Sequence, residues 1–211
     1  MTELQFFNPY ADIRHTENRL PHWQQESALY FITFRLADAV PARLQQDWQR
    51  ERETWMNLQP EPWNDTIERE YHKRFSGQIE QWLDAGHGSC VMQRPACAAI
   101  VADTLRHFDG DRIGLISSIV MPNHVHALFV QNSDYSLEKL LRSWKSYTSR
   151  QINSLLNRSG TLWQRDYFDR LIRDQQHFEN CIRYIRRNPR KAGLEAAQYM
   201  LYENDVASQI V

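Results

Sequence analysis

The sequence has no apolar run approaching the roughly 18 residues a membrane span needs, although 42% of its 211 residues are hydrophobic. Its start, Met-Thr-Glu-Leu-Gln-Phe-Phe, lacks a basic stretch followed by an apolar one, so no signal peptide is expected. Cysteine is scarce. Cys90, Cys97 and Cys181 are an odd count without zinc-type spacing, which argues against a disulfide framework and points to reduced thiols in a cytosolic protein. There is no internal repeat and no low-complexity segment. What remains is a chain of the size of one domain, 1–211, with a core over about 28–195, an N-terminal arm 1–27 and a tail 196–211.

The net charge of −1 conceals an asymmetry. Between Glu138 and Lys191 there are 13 Lys+Arg against 5 Asp+Glu, leaving 12 basic and 21 acidic residues elsewhere. A basic segment on a protein that is not basic overall suggests a nucleic-acid face; the alternative is a set of solvated helix faces.

Residues 114–131 organise the chain. An apolar, β-branched run with Ile116, Ile119 and Val120 meets the turn residues Met121-Pro122-Asn123, and a second run follows from His124 to Val130. His124 and His126 are two apart. On a strand they share one face, so both imidazoles can converge on one metal ion while Val125, Leu128 and Val130 face a core. A His-x-His pair is by itself a weak metal signature.

Around this pair the elements read in order. Tyr30–Leu36 is a strand of aromatic and β-branched residues. Ala42–Leu58 has helical periodicity through Leu44, Trp48, Trp55 and Leu58, and Pro60-Glu61-Pro62 ends it. Asp65–Leu83 and Pro95–Phe108 are further helices. Ser136–Leu156 is a helix with an imperfect capping box and an apolar stripe of Leu137, Leu140, Leu141, Trp144 and Ile152. Thr161–Arg173 is a loop and short strand; Gln175–Arg187 is a helix stopped by Asn188-Pro189. The last 20 residues carry no signal. The order predicts an α+β domain, most simply an antiparallel sheet with helices packed on one face, plus extra helices in the 41–108 region.

Tyr147 and Gln151 lie four apart and share one helix face. Where that helix crosses near the sheet, Gln151 can offer its side-chain oxygen to a metal held by His124 and His126, with Tyr147 beside it. A metal offsets the weak nucleophilicity of a phenol of pKa about 10 by polarising a phosphoryl oxygen. Arg142, Lys145 and Arg150 on the same helix are candidate phosphate contacts.

Met121-Pro122-Asn123-His124-Val125-His126 and Trp144-Lys145-Ser146-Tyr147 resemble the signature of single-tyrosine transposases with a His-hydrophobic-His metal motif. Three further stretches narrow the resemblance: Leu20-Pro21-His22-Trp23, Leu162 to Arg173, and Tyr184 to Leu194. Together they resemble the REP-associated tyrosine transposases, linked to repetitive extragenic palindromes of bacteria. The resemblance runs from about Arg19 to Leu194. It implies a ferredoxin-like core and a single-stranded DNA endonuclease and strand transferase, with Tyr147 forming a 5′-phosphotyrosine link. It implies Mg²⁺ or Mn²⁺ at His124, His126 and Gln151. The implied partner is hairpin DNA with a short single-stranded flank, bound by a monomer or homodimer in the cytoplasm at the nucleoid. A hairpin-binding module with little catalysis, and a water-using phosphodiesterase, are the alternatives.

Trp163, Arg165, Arg170 and Arg173 lie on a segment that can stack bases and contact phosphates, or that is core with solvent-facing arginines; both readings stand. Arg187 belongs to a basic cluster, with Arg183, Arg186, Arg190 and Lys191, suited to a hairpin stem or to a solvated helix end. The remaining histidines have no spacing partner and read as structural.

Overall fold

The structure, a computed structural model, describes residues 4–8, 10, 14–17, 21–25, 27–60, 63–132 and 135–211. Arg19 and Leu20 of the expected arm lie outside these residues. Two short strands, β1 (Arg14–Glu17) and β2 (Pro21–Gln24), pair antiparallel near the N-terminus.

Five strands form the main sheet: β3 (Leu29–Arg35), β4 (Ile113–Val120), β5 (His124–Gln131), β6 (Phe168–Leu171) and β7 (Met200–Glu203), in the order β6-β3-β5-β4-β7 with every pair antiparallel. Two helices make the crossovers: α4 (Pro95–His107) between β3 and β4, and α5 (Leu137–Leu155) between β5 and β6. The first four strands thus have the split βαβ arrangement of a ferredoxin-like domain, with β7 added at one edge. The last 20 residues, silent in sequence, supply that edge strand.

Three helices lie between β3 and α4: α1 (Ala42–Leu58), α2 (Asp65–Tyr71) and α3 (Gly77–Asp84), the last two joined through a wider turn over His72–Ser76. The predicted bounds of α1 are met at both ends. A final long helix, α6 (Gln175–Lys191), begins at Asp174, whose carboxylate accepts from His177 N–H at 2.7 Å.

Helices cover both faces of the sheet, not one. The central strand β5 is the reason. It is buried nearly throughout, and its alternate residues feed two different cores. Val125, Ala127 and Phe129 pack with α4 and α5 through Val101, Leu105, Leu140 and Trp144. Leu128, with Leu29 and Ile119, packs with α6 through Phe178, Ile182 and Ile185. α6 also continues through Asn188-Pro189 to Lys191, where a stop was expected. Proline removes one N–H near the helix end, and the chain closes off with Leu194 N–H donating to the Pro189 carbonyl at 2.9 Å.

Trp144 anchors α5. It is 1% exposed, stacks on Phe34 at 6.5 Å and meets Phe129 edge-on at 5.7 Å. Trp144→Ala is expected to cost about 3–5 kcal/mol, read as a lowered denaturant midpoint. Leu58→Ala, at a side chain 72% exposed, is expected to stay within about 0.5 kcal/mol of wild type.

Candidate active site on the helix-six face

His124 and His126 project from β5 toward α6. Both are 1% exposed, with ring centroids 4.8 Å apart. Across the ladder, Thr33 pairs with His126 and Arg35 with His124, so these four side chains share one face. Thr33 Oγ1 lies 2.7 Å from His126 Nδ1, and Asn123 Oδ1 lies 2.8 Å from His124 Nδ1. An amide oxygen can only accept, so His124 carries its proton on Nδ1 and leaves Nε2 as a lone pair. Asn123 is itself held: its Nδ2 donates to the Leu83 carbonyl at 3.1 Å and the His87 carbonyl at 3.3 Å. The end of α3 thereby fixes the turn before β5.

Burial pushes the His124 pKa down to about 3, and His126 well below the ordinary imidazole value, with the neighbouring ring and Lys191 acting the same way. Both rings are neutral at physiological pH, the state in which imidazole binds a metal.

Above them lies α6. Tyr184 meets His126 edge-on at 5.1 Å and Phe31 at 5.8 Å. Asn188, one turn on, is 1% exposed, and its Nδ2 lies 3.2 Å from His126 Nε2. Asn188 Oδ1 is buried with no hydrogen-bond partner. Exchanging the amide O and N costs no space and turns that oxygen toward the imidazoles. His124 Nε2, His126 Nε2 and Asn188 Oδ1 are then the atoms that could hold one divalent cation. Among the described residues no group of three or more His, Cys, Asp or Glu is placed to hold a metal. The Tyr184 hydroxyl also feels Asn188 and Glu80 of α3. Burial and the Glu80 carboxylate raise its pKa well above the ordinary phenol value. Burial likewise raises Glu80, against the opposing pull of Lys191.

Tyr147 and Gln151 are not in this site. They lie on α5, whose apolar stripe packs on the Val125–Phe129 face, so the sheet separates them from both histidines. Tyr147 is 47% exposed and Gln151 is exposed. The four-residue spacing is real, but the helix carrying it crosses the wrong face. Tyr184 and Asn188 have the same spacing on the helix that covers the right one.

The expected DNA contacts divide. Lys145 is half-buried: its Nζ donates to the carbonyls of Gln164, Arg165 and Asp166 at 3.0, 3.1 and 3.2 Å and sits over Phe34 and Tyr167. Burial pulls its pKa down to about 8. It clamps a loop. Trp163 is core, 4% exposed, its Nε1 donating to Thr148 Oγ1 at 2.8 Å. Arg142 pairs with Glu138 at 3.2 Å, and Arg142 and Arg150 are on the α5 side. Arg165 and Arg173 are exposed near the β6 edge. Arg170 pairs across the ladder with Phe31, on the histidine face, and its Nη2 lies 3.0 Å from His72 Nδ1; Arg187 is exposed on α6.

The antiparallel sheet thus carries a buried His-x-His pair on one face, with a tyrosine on the helix that covers it. Residues 95–188 match the family model described as "Transposase IS200 like", and over that span the chain is similar to those transposases. The match ends at Asn188. The solved structure of a REP-associated tyrosine transposase bound to a REP hairpin is similar at 15% identity, over 85% of this chain and 76% of that one, with a TM-score of 0.44. A search of curated proteins gives no match. Among the described residues no helix is long and apolar enough to cross a membrane.

Asn123→Ala removes the acceptor that orients His124 and strands two carbonyls. Affinity for Mn²⁺, followed by electron paramagnetic resonance, is expected to fall about 10–100-fold.

Proposed function

We propose that the protein is a metal-dependent endonuclease and strand transferase acting on single-stranded, hairpin-forming DNA, with Tyr184 as the nucleophile. The observation that carries this is the juxtaposition of the Tyr184 ring, 5.1 Å from His126, with Asn188 one turn further along α6. The similarity of residues 95–188 to IS200-like transposases supports the reaction class. The resemblance of five sequence segments to REP-associated enzymes supports a palindromic substrate.

In this reading the Tyr184 oxygen attacks the scissile phosphorus and the bond to the 3′-oxygen breaks. The phenol gives up its proton, the departing 3′-oxygen takes one up, and the strand is left as a 5′-phosphotyrosine. Attack by another 3′-hydroxyl reverses the step and joins strands, conserving the phosphodiester. Thr33 and Asn123 hold the imidazoles in register, and α6 and α3 exclude water around the phenol. Mg²⁺ or Mn²⁺ held by His124, His126 and Asn188 would polarise the phosphate and offset the charge of the attacking oxygen. Burial and the Glu80 carboxylate disfavour the Tyr184 phenolate, so the phenol is protonated in the free protein. Arg170 and Arg187 are the exposed cations best disposed to meet the flanking backbone.

The test is covalent trapping on hairpin oligonucleotides with short single-stranded flanks, resolved on a denaturing gel. Wild type and Tyr147→Phe are expected to give a shifted protein–DNA band; Tyr184→Phe and chelated wild type are expected to give none. A band lost in Tyr147→Phe and kept in Tyr184→Phe would sink the assignment. Cleavage without any band would point to attack by water, and binding without cleavage to a hairpin-binding module.

A further inference from the structure

The reaction above releases a phenolic proton, and one carboxylate lies where it can be received. Glu80 and Asp84 are four apart on α3 and share one face of it. Tyr184, Asn188 and Lys191 form a stripe of the same kind on α6. The two stripes meet: Lys191 Nζ lies 2.8 Å from Asp84 Oδ2 and 3.9 Å from Glu80 Oε2. Asn123, bonded to the Leu83 carbonyl at 3.1 Å, ties the end of α3 to the turn before His124. Glu80 is thus set over the stretch of α6 that carries Tyr184, and its carboxylate and the Tyr184 hydroxyl each act on the other. Asp84 reaches that hydroxyl only as a charge, and Lys191 already pairs with it.

A half-buried phenol beside a carboxylate resists losing its proton to solvent, because two anions would then face each other away from water. Losing it to the carboxylate itself adds no second charge: the pair carries one negative charge before and after. The setting of Glu80 suits that exchange. Burial holds its pKa above the ordinary carboxylate value, with Asp84 acting the same way and Lys191 and Arg170 opposing. A raised pKa makes a carboxylate the stronger base.

We propose that Glu80 is the general base of the reaction: its carboxylate takes the proton of the Tyr184 hydroxyl as the phenolic oxygen bonds to phosphorus and the bond to the 3′-oxygen breaks. The departing 3′-oxygen takes a proton from solvent. In the joining step the incoming 3′-hydroxyl gives its proton to solvent, and Glu80 returns its own to the leaving phenolic oxygen, so each group ends as it began. The proposal rests on the reaction proposed above. Glu80 precedes the segment similar to the transposase family, residues 95–188, so that similarity does not assign it.

Two independent readouts test it. The first needs no DNA. In protein labelled with glutamate carrying ¹³C at the side-chain carboxyl, the Glu80 signal is identified by its loss in Glu80→Gln. Tyr184→Phe is expected to shift that signal, because the carboxylate loses the phenol's proton as a neighbour. A Glu80 signal unmoved by Tyr184→Phe would overturn the proposal whether or not DNA is cleaved.

The second readout is the rate of covalent trapping. Glu80→Gln keeps the size of the side chain and removes the base, so it is expected to slow trapping by about 10²–10⁴-fold, with melting temperature and Mn²⁺ affinity at wild-type values. In Glu80→Ala, added formate is expected to restore part of the rate in proportion to its concentration, and chloride is expected to restore none; a merely structural carboxylate would not be replaced in this way. Wild-type rates in Glu80→Gln, a loss matched by an equal fall in Mn²⁺ affinity, or no response of Glu80→Ala to formate would exclude Glu80 from the chemistry. If wild type forms no adduct at all, the failure belongs to the reaction, and the carboxyl signal alone judges whether Glu80 addresses Tyr184.

Discussion

Two neutral imidazoles buried side by side on one face of the central strand set the terms for everything around them. A buried ring nitrogen must be hydrogen-bonded or ligated. Thr33 and Asn123 take the two Nδ1 atoms, and Asn188 meets His126 Nε2. Each of these three reaches the site from a different element: a neighbouring strand, the turn before β5, and the helix above. Asn123 in turn depends on the carbonyls of Leu83 and His87. The helical insertion between β3 and α4 is therefore part of the site's support, though it lies outside the segment similar to known transposases.

The same constraint explains the course of α6. A helix ending before Asn188 would leave the imidazoles uncovered. Running through Pro189 to Lys191 brings Asn188 down to 1% exposure and lets Lys191 reach Asp84 at 2.8 Å. Lys191 is itself half exposed, so that ion pair adds little stability. The apolar contacts of Phe178, Ile182 and Ile185 hold the helix down, and the polar contacts set its register over the histidines.

Periodicity made most elements legible: α1 to the residue, the two strands flanking Pro122-Asn123, and the apolar stripe of α5. The site was half legible. His124 and His126 follow from the period-2 rule, but the choice of tyrosine does not. Tyr147/Gln151 and Tyr184/Asn188 satisfy the same helical spacing, and local sequence does not say which face of a sheet a helix will cover. A clue was present. Val125, Ala127 and Phe129 are the uniformly apolar side of β5, and the stripe of a crossover helix belongs on such a side. That sends Tyr147 away from the histidines and leaves their face to a helix outside the βαββαβ unit. The Asn188-Pro189 stop failed for a related reason: the proline rule is local, and tertiary contacts outweighed one lost hydrogen bond at a helix end.

The basic surplus between Glu138 and Lys191 shows how far a charge count over-reads. Lys145 is consumed by three carbonyls. Arg186 is held by Glu203 at 2.8 Å and by the carbonyls of Ala207 and Ile210, and Arg183 by Glu179 at 2.9 Å. Arg183 and Arg186 tie the C-terminal segment to α6, and Lys145 ties the 164–166 loop to α5. A charge already satisfied within the fold has little to offer a phosphate, because rebinding must first break contacts the fold uses.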